Sequence, residues 1–398
     1  MKRYKNLDYI GCWFLLGARY IQQTEGQLAF VTTNSISQGE QVAILWPHIF
    51  ALGLEIGFAH QSFKWTNNAR ANAGVTCAII GVRRQCDQKK ILFHKGISHP
   101  VDNINSYLAN GPNVVVIKRR SVLSPLPPMT YGNKAVDGGN LILSPHEKEI
   151  LLTQHPEAAP LIRPFLGSSE YIRGTERFCL WIEDNDLSLA ESIPSVNKRI
   201  KQVEIMRLAS KDKGANKMAS RSHQFREMKA AQEQLLIIPR ISSERRHYIP
   251  IGFLDSIIAI SDLAFAIYDP PTYIFAVISS RMHMTWVRTV AGRLKTDYRY
   301  SSALCYNTFP FPDITDTQKT TLEDHVFQVL DEREQHPEKT MAQLYDPDKM
   351  PDGLRQAHHA MDLAVEKCYR SKPFASDEER LEYLFKLYEE MIRAEGKK

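Results

Sequence analysis

The chain has 398 residues, 43% hydrophobic and 24% charged, with 50 Lys+Arg against 45 Asp+Glu and a formal net charge of +5. This balance is that of an ordinary globular protein and excludes disordered and fibrous classes, and the length predicts two or three domains. The most apolar stretch, residues 249–280, is cut by Asp255, Asp262, Asp269, Pro270 and Pro271, so no membrane span of about 20 apolar residues is expected.

The opening residues are basic and an apolar stretch follows, but Asp8, Arg19 and the aromatic content make a poor signal peptide. Leu7 to Gln22 has Leu7, Ile10, Phe14 and Ala18 near helical spacing and predicts an amphipathic helix. Gly26 breaks it. The next residues, from Gln27 to Thr33, predict a strand that ends in the turn and cap residues Asn34 and Ser35. Gln38 to Leu54 suits a helix that Pro47 bends or restarts. Ile56 to Trp65 predicts a second strand. Ala73 to Val82 predicts a third, nearly all apolar, as for a sheet covered on both faces. Alternating helix and strand over residues 1–95 argues for α/β layering.

Near Pro125 the composition changes to short mixed elements rich in Pro, Gly, Arg and aromatic residues, which predicts a separate domain up to Pro312. Within it, Ser195 to Gln234 has no Pro and one Gly and is expected to be a long basic helix. Asp137-Gly-Gly is expected to be a tight turn. Beyond Pro312, Leu322–Gln335, Leu354–Cys368 and Asp377–Ala394 predict three helices, and there is no internal repeat. Six cysteines stand at 12, 77, 86, 179, 305 and 368 without a CxxC pair, which predicts reduced thiols and a cytoplasmic protein.

The charge is uneven. Residues 313–398 hold 20 acidic and 13 basic residues, whereas residues 198–246 hold 13 basic and 5 acidic. A basic body with an acidic tail suggests a polyanionic partner, against the plain alternative of a solvated helix face. GxGxxG, GxxxxGK[ST], HExxH, GxSxG and EF-hand patterns are all absent. His358 and His359 point to different helix faces and read as solvated residues, not metal ligands. Three clusters mix cationic with hydrogen-bonding or aromatic residues: Lys118-Arg119-Arg120, residues 239–248, and residues 281–300. Arginine can bond guanine with two parallel hydrogen bonds, while Lys, Ser and Thr hold phosphates. Together they favour double-stranded DNA as a partner over incidental surface ion pairs.

Several strings, in order, resemble the DNA N6-adenine methyltransferases of the MmeI-like restriction–modification family. They include Leu7-Asp-Tyr-Ile-Gly-Cys-Trp-Phe, Phe30-Val-Thr-Thr-Asn-Ser-Ile-Ser-Gln-Gly-Glu-Gln and Ser62-Phe-Lys-Trp-Thr-Asn-Asn-Ala-Arg-Ala-Asn-Ala. Further on are Asp137-Gly-Gly-Asn-Leu-Ile-Leu, Pro239-Arg-Ile-Ser-Ser-Glu-Arg-Arg-His-Tyr-Ile-Pro, Arg281-Met-His-Met-Thr-Trp-Val-Arg, Gly292-Arg-Leu-Lys-Thr-Asp-Tyr-Arg-Tyr-Ser and Tyr306-Asn-Thr-Phe-Pro-Phe-Pro. The resemblance runs from residue 7 into the C-terminal helices.

The resemblance implies an α/β fold: a partial Rossmann-like methyltransferase sheet in residues 1–120, a mixed α+β target-recognition domain in 121–312, and a C-terminal helical region in 313–398. It also exposes an absence. The family's Gly-containing S-adenosyl-L-methionine motif and its Asn-Pro-Pro-[Tyr/Phe] motif lie on earlier strands of the same sheet. The chain has neither, nor any Asn-Pro dipeptide. It therefore resembles the later part of such an enzyme: a truncated gene, a split subunit or a shortened piece. Its catalysis would depend on an upstream methyltransferase/nuclease polypeptide that binds most of the cofactor, and a sheet edge left open would favour poor solubility or a partner.

By the same resemblance, Phe63 or Trp65 lies against the flipped adenine, on the reading that the two rings take opposite faces of the strand. Asn34 is a further pocket candidate. Lys118, Arg119, Arg120, Arg240, Ser242, Ser243, Arg245, Arg246, Arg281, Arg288, Arg293 and Lys295 are the candidate DNA contacts, mostly to phosphates. The alternatives are a DNA-binding specificity module without catalysis of its own, and a structural α/β protein with incidental basic loops.

Overall fold

The computed structural model describes residues 3–65 and 75–396. The end of the family-like string at 62–73 and the first residues of the third expected strand lie outside the described residues.

Helix α1 (Ile10–Gln22) turns Phe14, Ala18 and Ile21 inward, and the Phe14 ring meets Phe30 at 5.0 Å and Trp46 at 5.8 Å. Strand β1 (Leu28–Thr33), helix α2 (Gly39–Phe50) and strand β2 (Leu54–Lys64) form a crossover unit, followed by β3 (Thr76–Arg84), β4 (Lys90–His94) and β5 (Ile97–Val101). The sheet order is β1-β3-β2-β4-β5. β3 runs antiparallel to both β1 and β2, so those two are parallel to each other with β3 wedged between them. β4 is parallel to β2, and β5 returns from it through Lys95-Gly96, both at positive φ as a two-residue hairpin requires. Neither β4 nor β5 was expected. The helix expected to reach Leu54 ends at Phe50, and Pro47 lies inside its last turn without breaking it.

One side of this layer is bare. β1 pairs only with β3, and its outer edge has no strand partner among the described residues. Val31 is 52% exposed, and on α1 the residues Tyr9, Trp13, Leu16 and Tyr20 form a stripe 76, 49, 56 and 73% exposed. An apolar helix face and an unpaired strand edge side by side are surfaces that a folded protein ordinarily covers.

An extended segment, residues 102–129, leads into the second part and buries Val114 and Val116 in its core. There, α3 (Pro194–Leu208) precedes β6 (Gln234–Pro239), which pairs with β7 (Ala264–Tyr268) and with the strand Gly252–Asp255. Helix α4 (Arg281–Val290) then leads to a hairpin, β8 (Gly292–Leu294) and β9 (Asp297–Arg299), with Lys295 at positive φ in its tip. The expected long helix over 195–234 is limited to α3; a short helix, turns and irregular backbone follow up to β6. The reason is Arg207. It is fully buried and donates five hydrogen bonds, to the carbonyls of Val136, Met218, Arg221, Ala135 and Gln224, which hold the chain in loops around it. The Asp137 carboxylate caps the predicted tight turn by accepting from the N–H groups of Gly139 and Leu141.

The C-terminal helices α5 (Asp316–Glu334), α6 (Asp352–Tyr369) and α7 (Asp377–Glu395) do not have a core of their own. Leu322, Met361, Leu384 and Phe385 join Leu236, Ile238 and Trp286 in one apolar cluster. Buried polar bonds cross the same boundary. Asp362 accepts from the Tyr248 hydroxyl at 2.7 Å and from the Arg281 N–H at 2.7 Å. His358, expected to be solvated, is fully buried, stacked on Tyr248 and hydrogen-bonded to the Tyr345 hydroxyl; its neighbour His359 is exposed. Helical spacing alone could not show which face of α6 the core would occupy. All six cysteines are free thiols, and no helix among the described residues is long and apolar enough to cross a membrane.

Two outcomes follow from these buried groups. Arg207→Ala leaves up to five carbonyls without their donor and should lower the unfolding free energy by at least about 3 kcal/mol, read by urea denaturation. Burial raises the Asp362 carboxyl to about 7, partly offset by its hydrogen bonds from Tyr248 and Arg281. The folded state therefore holds a proton there that the unfolded chain has released. Stability should fall as pH rises from about 4 to 7, and Asp362→Asn should flatten that slope in melts across this range.

A candidate DNA interface between the sheet and the recognition domain

Because β1 and β2 are parallel, their C-terminal ends share one rim, where α/β sheets place ligands. From β1 the rim takes Thr33, Asn34 and Ser35; from β2 it takes Ser62, Phe63 and Trp65. The Asn34 side chain, 9% exposed, donates to the Ser62 hydroxyl at 3.2 Å, so two of the rim's polar groups are joined. Asp8, at the entry to α1, accepts from the hydroxyls of Ser35 and Thr33, and its backbone N–H donates to Gln41 at 3.0 Å. Phe63 is half-buried and Trp65 is 45% exposed, with its backbone N–H donating to the Val75 carbonyl across the end of the sheet. The reading that these two rings take opposite faces is corrected here. Residues two apart on a strand share a face, and Lys64 takes the other.

Facing the β1 part of this rim is a cleft of about 710 Å³, whose lining does not include Ser62, Phe63 or Trp65. Asp8, Asn34, Ser35, Glu40 and Gln41 line its wall on the side of the sheet; Tyr131, Arg240, Arg293, Lys295 and Arg299 line the opposite wall. The walls meet where Gly39, at φ +58, brings the start of α2 against β8. A Cβ on Gly39 would stand 3.3 Å from the Gly292 Cα. Lys118 closes another side through an ion pair to Glu40. Burial alone would raise the Glu40 carboxyl, but the hydrogen bonds and charge of Lys118, with help from Asn6, hold it below the ordinary range.

The expected DNA-contacting residues divide into two groups. Lys118, Arg240, Arg293 and Lys295 reach the cleft. The Arg240 guanidinium lies 5.0 Å from the Tyr131 ring and donates to the Asp262 carbonyl at 2.8 Å. Arg293 lies 3.9 Å over the Tyr298 ring and donates to the Thr296 carbonyl at 2.9 Å. Lys295 projects from the hairpin tip.

The others are not gathered there. Arg119 is paired with Glu395, Arg245 with Asp348, and Arg281 and Arg288 both with Asp377, all carboxylates of the acidic C-terminal region. Arg246 is partly buried and donates to Ser242, which is itself 2% exposed. Ser243 accepts from the Arg245 N–H in a turn, and Arg120 is exposed and does not line the cleft. Asp8, Glu40, Gln41, Tyr131 and Arg299 line the cleft without having been singled out. The one local signal was Gly39, a glycine at a helix start beside a polar turn. Among the described residues no group of His, Cys, Asp or Glu could hold a metal ion.

Comparison with known proteins shows three family matches in chain order. Residues 1–94 match the MmeI DNA-methyltransferase domain, 110–313 the MmeI target recognition domain and 314–394 the MmeI C-terminal domain. A relative from Bacillus subtilis (strain 168), DNA methyltransferase A, is 44% identical over 393 residues, covering 98% of this chain and 44% of its own length. The solved structure of the type IIL restriction-modification enzyme MmeI in complex with DNA superposes with a TM-score of 0.88 at 38% identity, covering 99% of this chain and 53% of that one. The chain thus spans about half the length of the relatives it matches.

The Gly39 contact is the point where cleft width is set. Gly39→Val should cost about 1–2 kcal/mol from left-handed backbone strain alone and push β8 off α2. Both effects are checked by denaturation and by the melting temperature.

Proposed function

Since the chain belongs to the MmeI family, we propose that it forms the target-recognition part and the later catalytic strands of a site-specific, adenine-N6 DNA methyltransferase that uses S-adenosyl-L-methionine within a restriction–modification system. The observation that carries this reading is the cleft: a rim of hydrogen-bonding groups around Asn34 on one wall, and Arg240, Arg293, Lys295 and Arg299 on the other. Cations on a recognition domain neutralise phosphates and hold the duplex in register, while the opposite rim is open to a base swung out of the stack. Asn34 offers the extruded base a hydrogen-bonding amide, and Phe63 with Trp65 offers it an aromatic face. Both rings stand at the end of β2, beside the cleft and outside its lining, so a base would reach them past Asn34. The division of labour follows the breaks near residues 120 and 312: catalytic strands in 1–120, reading of DNA in 121–312, and helical support from 313–398.

The residues present do not make a cofactor site by themselves. The polar Thr33-Asn34-Ser35 turn after β1 can border such a ligand, but among the described residues no glycine-rich strand-to-helix turn accompanies it in this sheet. We therefore derive no step through the cofactor. The bare edge of β1 and the α1 stripe of Tyr9, Trp13, Leu16 and Tyr20 supply the place where an upstream methyltransferase polypeptide would complete the sheet. Without it, the chain acts as a DNA-binding specificity module.

Transfer of labelled methyl groups from S-adenosyl-L-methionine to duplex DNA tests the reading. The chain alone should incorporate none, and addition of the upstream polypeptide should restore incorporation. Clear activity from the isolated chain would overturn the dependence on that partner. Duplex binding, measured by fluorescence anisotropy, should weaken steeply with salt. Arg240→Ala with Lys295→Ala should weaken it about tenfold or more, whereas Arg245→Ala, which removes an arginine already paired with Asp348, should change it little. The opposite ranking would move the interface to the Arg245 loop.

A further inference from the structure

Beside the cleft lies a second cavity of about 370 Å³, where all three parts of the chain meet. Ser37 and Ser62 belong to the sheet's rim, Thr285 and Arg288 to α4, and Leu381 to α7. Four polar atoms of its lining are buried without a hydrogen-bond partner among the described residues: Ser37 Oγ, Gln38 Oε1, Thr285 Oγ1 and Arg293 Nε. Folded proteins satisfy nearly all such atoms, because each one left alone costs stability. Four around one cavity mark a place that a polar group enters. The space is many times the roughly 30 Å³ that one water occupies.

The chemistry of the lining selects an anion. Ser37 and Thr285, each 4% exposed, offer hydroxyl donors, and Arg293 offers the Nε–H of a guanidinium. Of these four unpartnered atoms only Gln38 Oε1 cannot donate, and its amide can turn to present N–H₂ instead; the lining also holds the carboxylates of Asp377 and Glu378. Arg288 adds a second guanidinium. Its carboxylate partner, Asp377, is also paired with Arg281 and with Arg380, whose closer partner is Glu366, so Arg288 does not hold Asp377 to itself. Glu378 is exposed at the rim. The cavity shares Gln38 and Arg293 with the DNA cleft, and it contains Ser62, the hydroxyl that holds Asn34.

We propose that this cavity receives a phosphate of the DNA strand that carries the target base, with Ser37, Thr285 and Arg293 as its donors. The proposal rests on the DNA-methyltransferase reading and adds to it a site at which one phosphate touches catalytic strands and recognition domain at once. Binding DNA would then fix the angle between them.

The test uses the whole chain. Thr285→Val and Ser37→Ala each delete a buried hydroxyl that has no partner, so neither should lower the melting temperature. Each should weaken duplex binding about tenfold, because a hydrogen bond to a charged oxygen is lost. Arg293→Gln should in addition reduce the slope of log affinity against log salt by about 0.9, the value for one phosphate. Wild-type duplex affinity in both hydroxyl variants would overturn the proposal. Melting with inorganic phosphate separates the sources: stabilisation of the wild type, together with unchanged DNA affinity in the variants, would mean a free-anion site and overturn the DNA assignment. A wild-type chain that binds no duplex would remove the underlying reading itself.

Discussion

The structure depends on one topological constraint, the insertion of β3 antiparallel between β1 and β2. An antiparallel strand bonded on both edges forces its two neighbours to run parallel, and parallel strands end on the same side. Everything at the rim follows. Asn34 at the end of β1 comes within hydrogen-bond reach of Ser62 near the end of β2. The helix after β1 presents its start, at Gly39, to the recognition hairpin.

The second organising force is electrostatic. Arginine-rich segments in a chain with an acidic end suggest one surface for a polyanion and another repelled by it. The fold uses the charges differently. Carboxylates of the C-terminal helical region take up Arg119, Arg245, Arg281 and Arg288, and Asp377 alone serves two of these and Arg380. Exposed pairs of this kind contribute little each, but here they sit around a shared apolar core, so they orient helices that hydrophobic burial already holds together. Arg207 is the extreme case: a fully buried cation with its charge spread over five carbonyls. In the cleft, Arg240 and Arg293 are each held by an aromatic ring and a carbonyl, whereas Lys118 is paired with Glu40.

A third feature is the contrast between the chain's two sides. The recognition domain and C-terminal helices close over one continuous core, and their charged groups find partners. The sheet layer closes on the α2 side and stays open beyond β1 and along the outer stripe of α1. The solved relative extends to about twice the matched length. The apolar stripe and the unpaired edge are left uncovered among the described residues.

How much of this was legible in the sequence differs by level. Short-range information was sufficient for α1, β1, α2, β2 and β3, because alternating or helical apolar spacing depends on near neighbours, and for the tight turn at Asp137. It also sufficed, through the ordered strings, for the family. The β4–β5 hairpin, the true extent of α3 and the burial of His358 were not legible. Each is set by a partner distant in sequence: β2, the ring of carbonyls around Arg207, and Tyr248 with Tyr345. The same applies to the site. The sequence determined which residue types are present to contact an anion or a base. Only the tertiary structure decided which of twelve candidates reach the cleft, because an arginine's availability depends on whether folding brings it a carboxylate from elsewhere in the chain.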